Sequence, residues 1–194
     1  VEWTNSGYIF LAHDKEKEDI LKQSIAVQQS FGLDVSFISA EECSDIVPLL
    51  NTEGLLGGSW CTSDGQADPF LVVKGYLDGI RRYGGTILTH TEVTAVNISG
   101  GKVKSVTTDK GDTFFTPMIL NAAGPWAAEV GALAGLSLPV EPERHEALIT
   151  EGVQYQHIPM LVDYRSDGGY FVQRLTGQFI GCFTPEKQVP GKDT

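Results

Sequence analysis

Positive charge is scarce in this sequence. Fourteen Lys and Arg stand against 25 Asp and Glu, a formal net charge of −11. That balance argues against a nucleic-acid partner, which needs clustered cations to offset phosphates, and against docking on an anionic membrane surface. Cysteine is scarce too. Cys43, Cys61 and Cys182 are far apart and form no CxxC, so they read as reduced thiols of a cytoplasmic protein and not as a zinc site. No apolar run approaches the roughly 20 residues of a membrane span, and no secretory signal pattern opens the chain. An initiator Met is missing, and Val1-Glu2-Trp3-Thr4 reads like mid-protein sequence. There is no P-loop, nucleophile elbow or metal-ligand cluster. The four histidines, His13, His90, His145 and His157, are scattered and read as loop or surface residues.

What is present is an ordinary globular chain. Its 194 residues, 41% of them hydrophobic, suffice for one sizeable core or two small ones. Ser6 to Ala12 reads as a buried strand. Asp14 caps a helix that runs to Phe31 and stops at Gly32. Val35 to Ile38 is a strand, and Ser39 with Glu42 makes a capping box for a short helix ended by Pro48. Leu55 to Cys61 is another strand. Asp68-Pro69 is a helix start, and Gly84-Gly85 the stop. Strands then dominate: Thr86 to Leu88, and a three-stranded meander over Thr91–Ile98, Lys102–Thr107 and Asp112–Thr116. Met118-Ile119-Leu120 reads as a short apolar strand leading to a helix over Trp126 to Ala134. Pro139 to Phe183 is strand-rich, with turns at Asp167-Gly168-Gly169 and Thr176-Gly177. The tail from Pro185 is polar and expected to fray. The class is α+β, or interrupted α/β.

Three segments could carry chemistry. Leu120-Asn121-Ala122-Ala123-Gly124-Pro125 turns from an apolar strand into a helix through small residues. Small residues let a ligand approach the backbone, although a tight connection without a ligand gives the same pattern. Asp64-Gly65-Gln66-Ala67-Asp68-Pro69 is fully explained as a turn and a helix start. In Tyr170-Phe171-Val172-Gln173-Arg174, strand alternation puts Tyr170, Val172 and Arg174 on one face. A phenol and a guanidinium on one face suit a carboxylate. An exposed Arg and an ordinary sheet Tyr fit equally well.

In succession, these segments resemble the D-amino-acid oxidase family of flavoproteins, which includes glycine oxidase, sarcosine oxidase and the dimethylglycine and sarcosine dehydrogenases. The matching residues are Gly54–Gly58, Asp64-Gly65-Gln66-Ala67-Asp68-Pro69, Tyr83–Ile87, Thr91–Val96, Val106–Thr108 with Gly111, Ile119–Trp126, Gly169–Arg174 and Gln178–Gly181. The resemblance implies a substrate-binding domain with part of an interrupted FAD-binding α/β, Rossmann-like domain. Residues 1–63 would begin the substrate side, 64–138 would belong to the FAD side, and 139–194 would be a truncated substrate-side sheet. It implies FAD as cofactor, with Val93, Ala122, Ala123 and Gly124 beside it, and Tyr170 and Arg174 beside the substrate. No catalytic residue is assigned, and no metal. The implied reaction is oxidation of a carbon–nitrogen bond in an amino acid or amine. The family's opening GxGxxG turn and its closing Gly-rich segment have no counterpart in the sequence. The chain therefore reads as the middle of a longer polypeptide, inactive alone, with FAD not retained. Its remaining partners would be its own missing ends, or a second copy through exposed sheet. The alternative is a non-catalytic ligand-binding module or a subunit that pairs with a flavin-carrying partner.

Overall fold

The computed structural model describes residues 3–48, 50–165, 168–183 and 189–192. The turn expected at Asp167 and most of the tail from Pro185 lie outside the described residues. The chain divides into two compact units: residues 1–76 with 145–187, and residues 77–144 with 188–194. The crossings fall at 76/77, 144/145 and 187/188.

Unit 1 is built on a seven-stranded mixed sheet. Its strands are β2 (Tyr8–Ala12), β3 (Val35–Ile38), β4 (Gly57–Cys61), β10 (Ala147–Ile149), β11 (Met160–Asp163), β12 (Gly169–Gln173) and β13 (Phe179–Phe183), in the order β10-β13-β12-β11-β2-β4-β3. Only β2 and β11 run parallel; every other pair is antiparallel. A two-stranded piece, β1 (Trp3–Thr4) with β5 (Gln66–Ala67), belongs to the same unit.

Helices cover both faces of this sheet. Helix α1 (Lys15–Ser30) is capped by Asp14, whose side chain accepts from the Lys17 amide. It ends in paired bonds from Gly32 to Gln29 and from Leu33 to Gln28, with Gly32 at φ +84°. That left-handed cap favours glycine. Its Ile25 packs with Val35 and Cys61 on one face. The short helix α2 (Ala40–Ile46) starts with the expected Ser39/Glu42 capping box. Its Cys43 joins Ile9, Leu11, Val47, Leu55, Ile158 and Leu161 in the larger cluster on the other face. Burial holds the Cys43 thiol up at about 11. Helix α3 (Pro69–Arg82) begins at Asp68, whose Oδ1 accepts from the amides of Phe70 and Leu71 at 2.8 and 3.2 Å.

Unit 2 carries the antiparallel meander β6 (Val93–Ser99), β7 (Lys102–Thr108) and β8 (Thr113–Phe115). A single helical turn, Gly124–Trp126, leads into α4 (Ala127–Leu133), which packs against β6. Strands β9 (Glu143–Arg144) and β14 (Val189–Pro190) pair antiparallel.

Thr86–Leu88 and Met118–Leu120, expected as strands of a parallel sheet whose central strands are missing from the sequence, form no ladder among the described residues. Leu120 is 90% exposed. A strand is completed only where a second strand takes up its main-chain groups.

Candidate functional site

In unit 2, Val93 opens β6, which among the described residues pairs only with β7 and so is an edge strand. The Asp109 amide donates to the Glu92 carbonyl at 2.9 Å. Hydrogen-bonded and non-bonded pairs alternate along an antiparallel ladder. The next pair, Val93 with Thr108, is therefore a non-bonded one. The Thr108 amide donates the other way, to Asp112, as that alternation requires. The amide and carbonyl of Val93 consequently point outward from the sheet edge, where an adenine could pair with them.

Ala122, Ala123 and Gly124 form the turn before α4. Asn121 clamps it: its Nδ2 donates to the Ala127 carbonyl at 2.9 Å, and its Oδ1 accepts from the Ala123 amide at 3.2 Å. Gly124 has φ +52°, and a Cβ placed there would meet nothing within 4 Å. The constraint at Gly124 is conformational, and the space before the backbone is open. Among the described residues, the Ala122 and Gly124 amides have no protein acceptor. A turn of bare amides beside small side chains fits one flank of a dinucleotide cofactor. The Gly-rich turn that holds a pyrophosphate in such folds occurs nowhere in the 194 residues. The donor set fits FAD, but only part of it.

In unit 1, Tyr170 pairs with Val162 on β11 and with Cys182 on β13. Phe10 pairs with Val162, so Phe10, Tyr170 and Cys182 share one sheet face. Tyr8 and Phe10 stack at 4.7 Å, and Phe10 and Tyr164 at 5.5 Å. Burial, then Tyr164, Asp64 and Tyr170, push the Tyr8 phenol up. Burial, then Cys182, does the same for Tyr170. These phenols stay protonated in neutral solution and can donate hydrogen bonds.

Arg174 lies one residue past the end of β12 and starts the turn to β13, with its amide on the Gln178 carbonyl. Its guanidinium is 3.6 Å from the Asp68 carboxylate. The sequence offered Asp68 only as a helix cap; the second oxygen's partner is 106 positions away in the chain. Tyr170 and Arg174 thus lie in one unit, and Val93 and Ala122–Gly124 in the other.

The opposite face of the sheet carries a cavity of about 360 Å³ over Leu161 and Phe171, with His13, Asp163 and Arg165 at its polar end. His13 lies in the loop between β2 and α1, as expected of a loop residue, but it is not on the surface. Its side chain is 10% exposed, and its Nδ1 is 3.5 Å from Asp163. The two residues stand at the ends of the parallel strands β2 and β11, a pairing that local sequence does not reveal. Among the described residues, no three His, Cys, Asp or Glu could hold a metal ion, and no helix is long and apolar enough to cross a membrane.

Unit 1 thus presents a mixed sheet with an aromatic face, and unit 2 a strand edge and a turn of small residues. The family model described as "DAO: FAD dependent oxidoreductase" matches residues 1–193, and the chain belongs to that family. It is 28% identical over 189 residues to dimethylglycine dehydrogenase, mitochondrial, of Rattus norvegicus, which covers 94% of this chain and 22% of that protein. It is 25% identical over 168 residues to sarcosine dehydrogenase, mitochondrial, of Mus musculus, covering 84% of this chain and 18% of that one. The solved structure of L-proline dehydrogenase from P. horikoshii superposes with a TM-score of 0.90 at 33% identity, over 99% of this chain and 52% of that one. The chain thus spans about a fifth of the length of these two curated relatives and about half of the solved one.

Proposed function

We propose that the protein oxidises the carbon–nitrogen bond of an amino acid or of a secondary or tertiary amine. The observation that carries the reading is the likeness, over 99% of the chain at 33% identity, to a structure described as L-proline dehydrogenase. The relatives described as dimethylglycine and sarcosine dehydrogenases support it. In this reading unit 1 is the substrate side and unit 2 a share of the FAD side.

FAD, when bound, supplies the acceptor for the hydride that leaves the carbon beside nitrogen, and water hydrolyses the resulting imine. The chain's own residues bind and orient. Val93 offers outward main-chain groups to the adenine end, and Ala122, Ala123 and Gly124 offer a close backbone approach. Tyr170, a phenol that burial pushes further up from its ordinary value, donates toward the substrate. Arg174 grips the substrate carboxylate: 3.6 Å to Asp68 is longer than the roughly 2.7–2.9 Å of a charge-assisted hydrogen bond, so its donors are not saturated by that contact. Fixing the substrate through a carboxylate and a phenol removes most of its orientational freedom before reaction. Three buried free thiols fit a reducing compartment such as the cytoplasm.

The test is anaerobic addition of sarcosine, N,N-dimethylglycine or L-proline to the flavin-loaded parent polypeptide, which supplies the FAD-binding turn these 194 residues lack. Loss of the oxidised flavin's visible band is the expected result. A band unchanged by every amine and amino acid, with one of them nonetheless bound, would favour a ligand-binding module.

A further inference from the structure

Asp68 uses its two carboxylate oxygens differently. Oδ1 accepts from the amides of Phe70 and Leu71 at the start of α3. Oδ2 faces the guanidinium of Arg174 at 3.6 Å. The helix therefore fixes the carboxylate, and the carboxylate places one negative charge beside the group read above as the substrate's carboxylate grip. Both side chains are about a third exposed, 35% for Asp68 and 38% for Arg174. A solvated pair of this kind adds little stability, so the capping bonds, not the ion pair, hold Asp68 in place.

The charges decide what such a grip accepts. Arg174 alone would welcome any anion, including one with two carboxylates. Arg174 with Asp68 is a neutral pair. A ligand carrying one carboxylate gains two-pronged hydrogen bonds shorter than the 3.6 Å contact they displace. A ligand bringing a second carboxylate places it in the field of a charge that the helix does not release. At the effective dielectric near a protein surface, such like-charge contact costs on the order of tenfold in affinity.

We infer that Asp68 is a specificity-determining residue, which restricts the carboxylate grip of Arg174 to amino acids with a single carboxylate. The inference rests on the reading of Arg174 as the substrate's carboxylate partner.

The test compares N,N-dimethylglycine with iminodiacetate, which adds a second carboxylate on the same amine nitrogen. Affinities are measured by calorimetry for the wild-type chain, Asp68→Asn and Arg174→Gln. Asn caps helices as well as Asp does, so Asp68→Asn keeps the start of α3 and removes only the charge. The expected result is a roughly tenfold shift of the affinity ratio toward iminodiacetate in Asp68→Asn, smaller at high salt, with little change in Tm. An unchanged ratio, with dimethylglycine still bound through Arg174, overturns the role of Asp68 alone. Dimethylglycine binding that Arg174→Gln leaves intact, or no carboxylate binding at all, overturns the grip itself and the inference with it. Should Asp68→Asn lower Tm, Asp68→Ser repeats the comparison with another uncharged cap.

Discussion

Gln173 is fully buried, and its side-chain amide reaches three main-chain groups. Its Oε1 accepts from the Gln156 amide at 2.7 Å, and its Nε2 donates to the carbonyls of Gln154 and Gly177 at 2.9 and 3.3 Å. It therefore ties the 154–156 segment and the β12–β13 turn to the sheet. Gln173→Leu keeps the volume and strands those polar groups, and we expect a loss of about 2–4 kcal/mol in urea unfolding. A loss within the ordinary surface range, about 0.5 kcal/mol, would contradict that role. Asp163 makes a different case. Burial pushes its carboxyl up, but the side chain and amide of Arg165, then His13, outweigh burial and hold it below the ordinary value. A depressed carboxylate contributes stability that is fully present above its unfolded value of about 4 and is lost as pH falls through the folded one. Thermal melts from pH 5 down to pH 2 should show wild type and Asp163→Asn converging as the pH falls. A constant gap would place the contribution of Asp163 elsewhere.

Helix boundaries were legible in the sequence because their causes are local. The Ser39/Glu42 box, the Asp68 cap and the Gly32 stop each involve residues within a turn of one another, and the meander announced itself through its glycine turns. Strand pairing was not legible. β2 lies parallel to β11 across some 150 positions, so neither the stack of Tyr164 on Phe10 nor the contact of His13 with Asp163 has a local sign. Thr86–Leu88 and Met118–Leu120 have a strand pattern, and no ladder partner for either is present among the described residues. The turn of small residues at Ala122–Gly124 was readable as a turn, but the outward set of Val93's main-chain groups depends on ladder phase. A sheet edge and one turn offer few contacts to a dinucleotide. We expect these 194 residues alone to hold FAD weakly or not at all, so that gel filtration with added FAD elutes the protein colourless. Co-elution of a stoichiometric flavin would mean that the cradle is more complete than its donor set.

At the scale of the whole molecule, the chain has two units. Unit 1 carries an aromatic sheet face and Arg174, and in the proposed reading unit 2 would offer main-chain groups to a nucleotide. The sequence carried enough successive motifs to resemble the family, and the match over residues 1–193 establishes it. The substrate was not legible, and neither was the contact of Arg174 with Asp68, whose side chains meet only in the fold. The central claim is that the bond oxidised is carbon–nitrogen. The measurement that tests it most directly is anaerobic mixing of the flavin-loaded parent polypeptide, which supplies the FAD-binding turn these 194 residues lack, with N,N-dimethylglycine, sarcosine or L-proline, and separately with lactate, which offers the same carboxylate beside a carbon–oxygen bond. The account predicts that at least one of the amines bleaches the flavin and that lactate does not. Bleaching by lactate with none by any amine would contradict it.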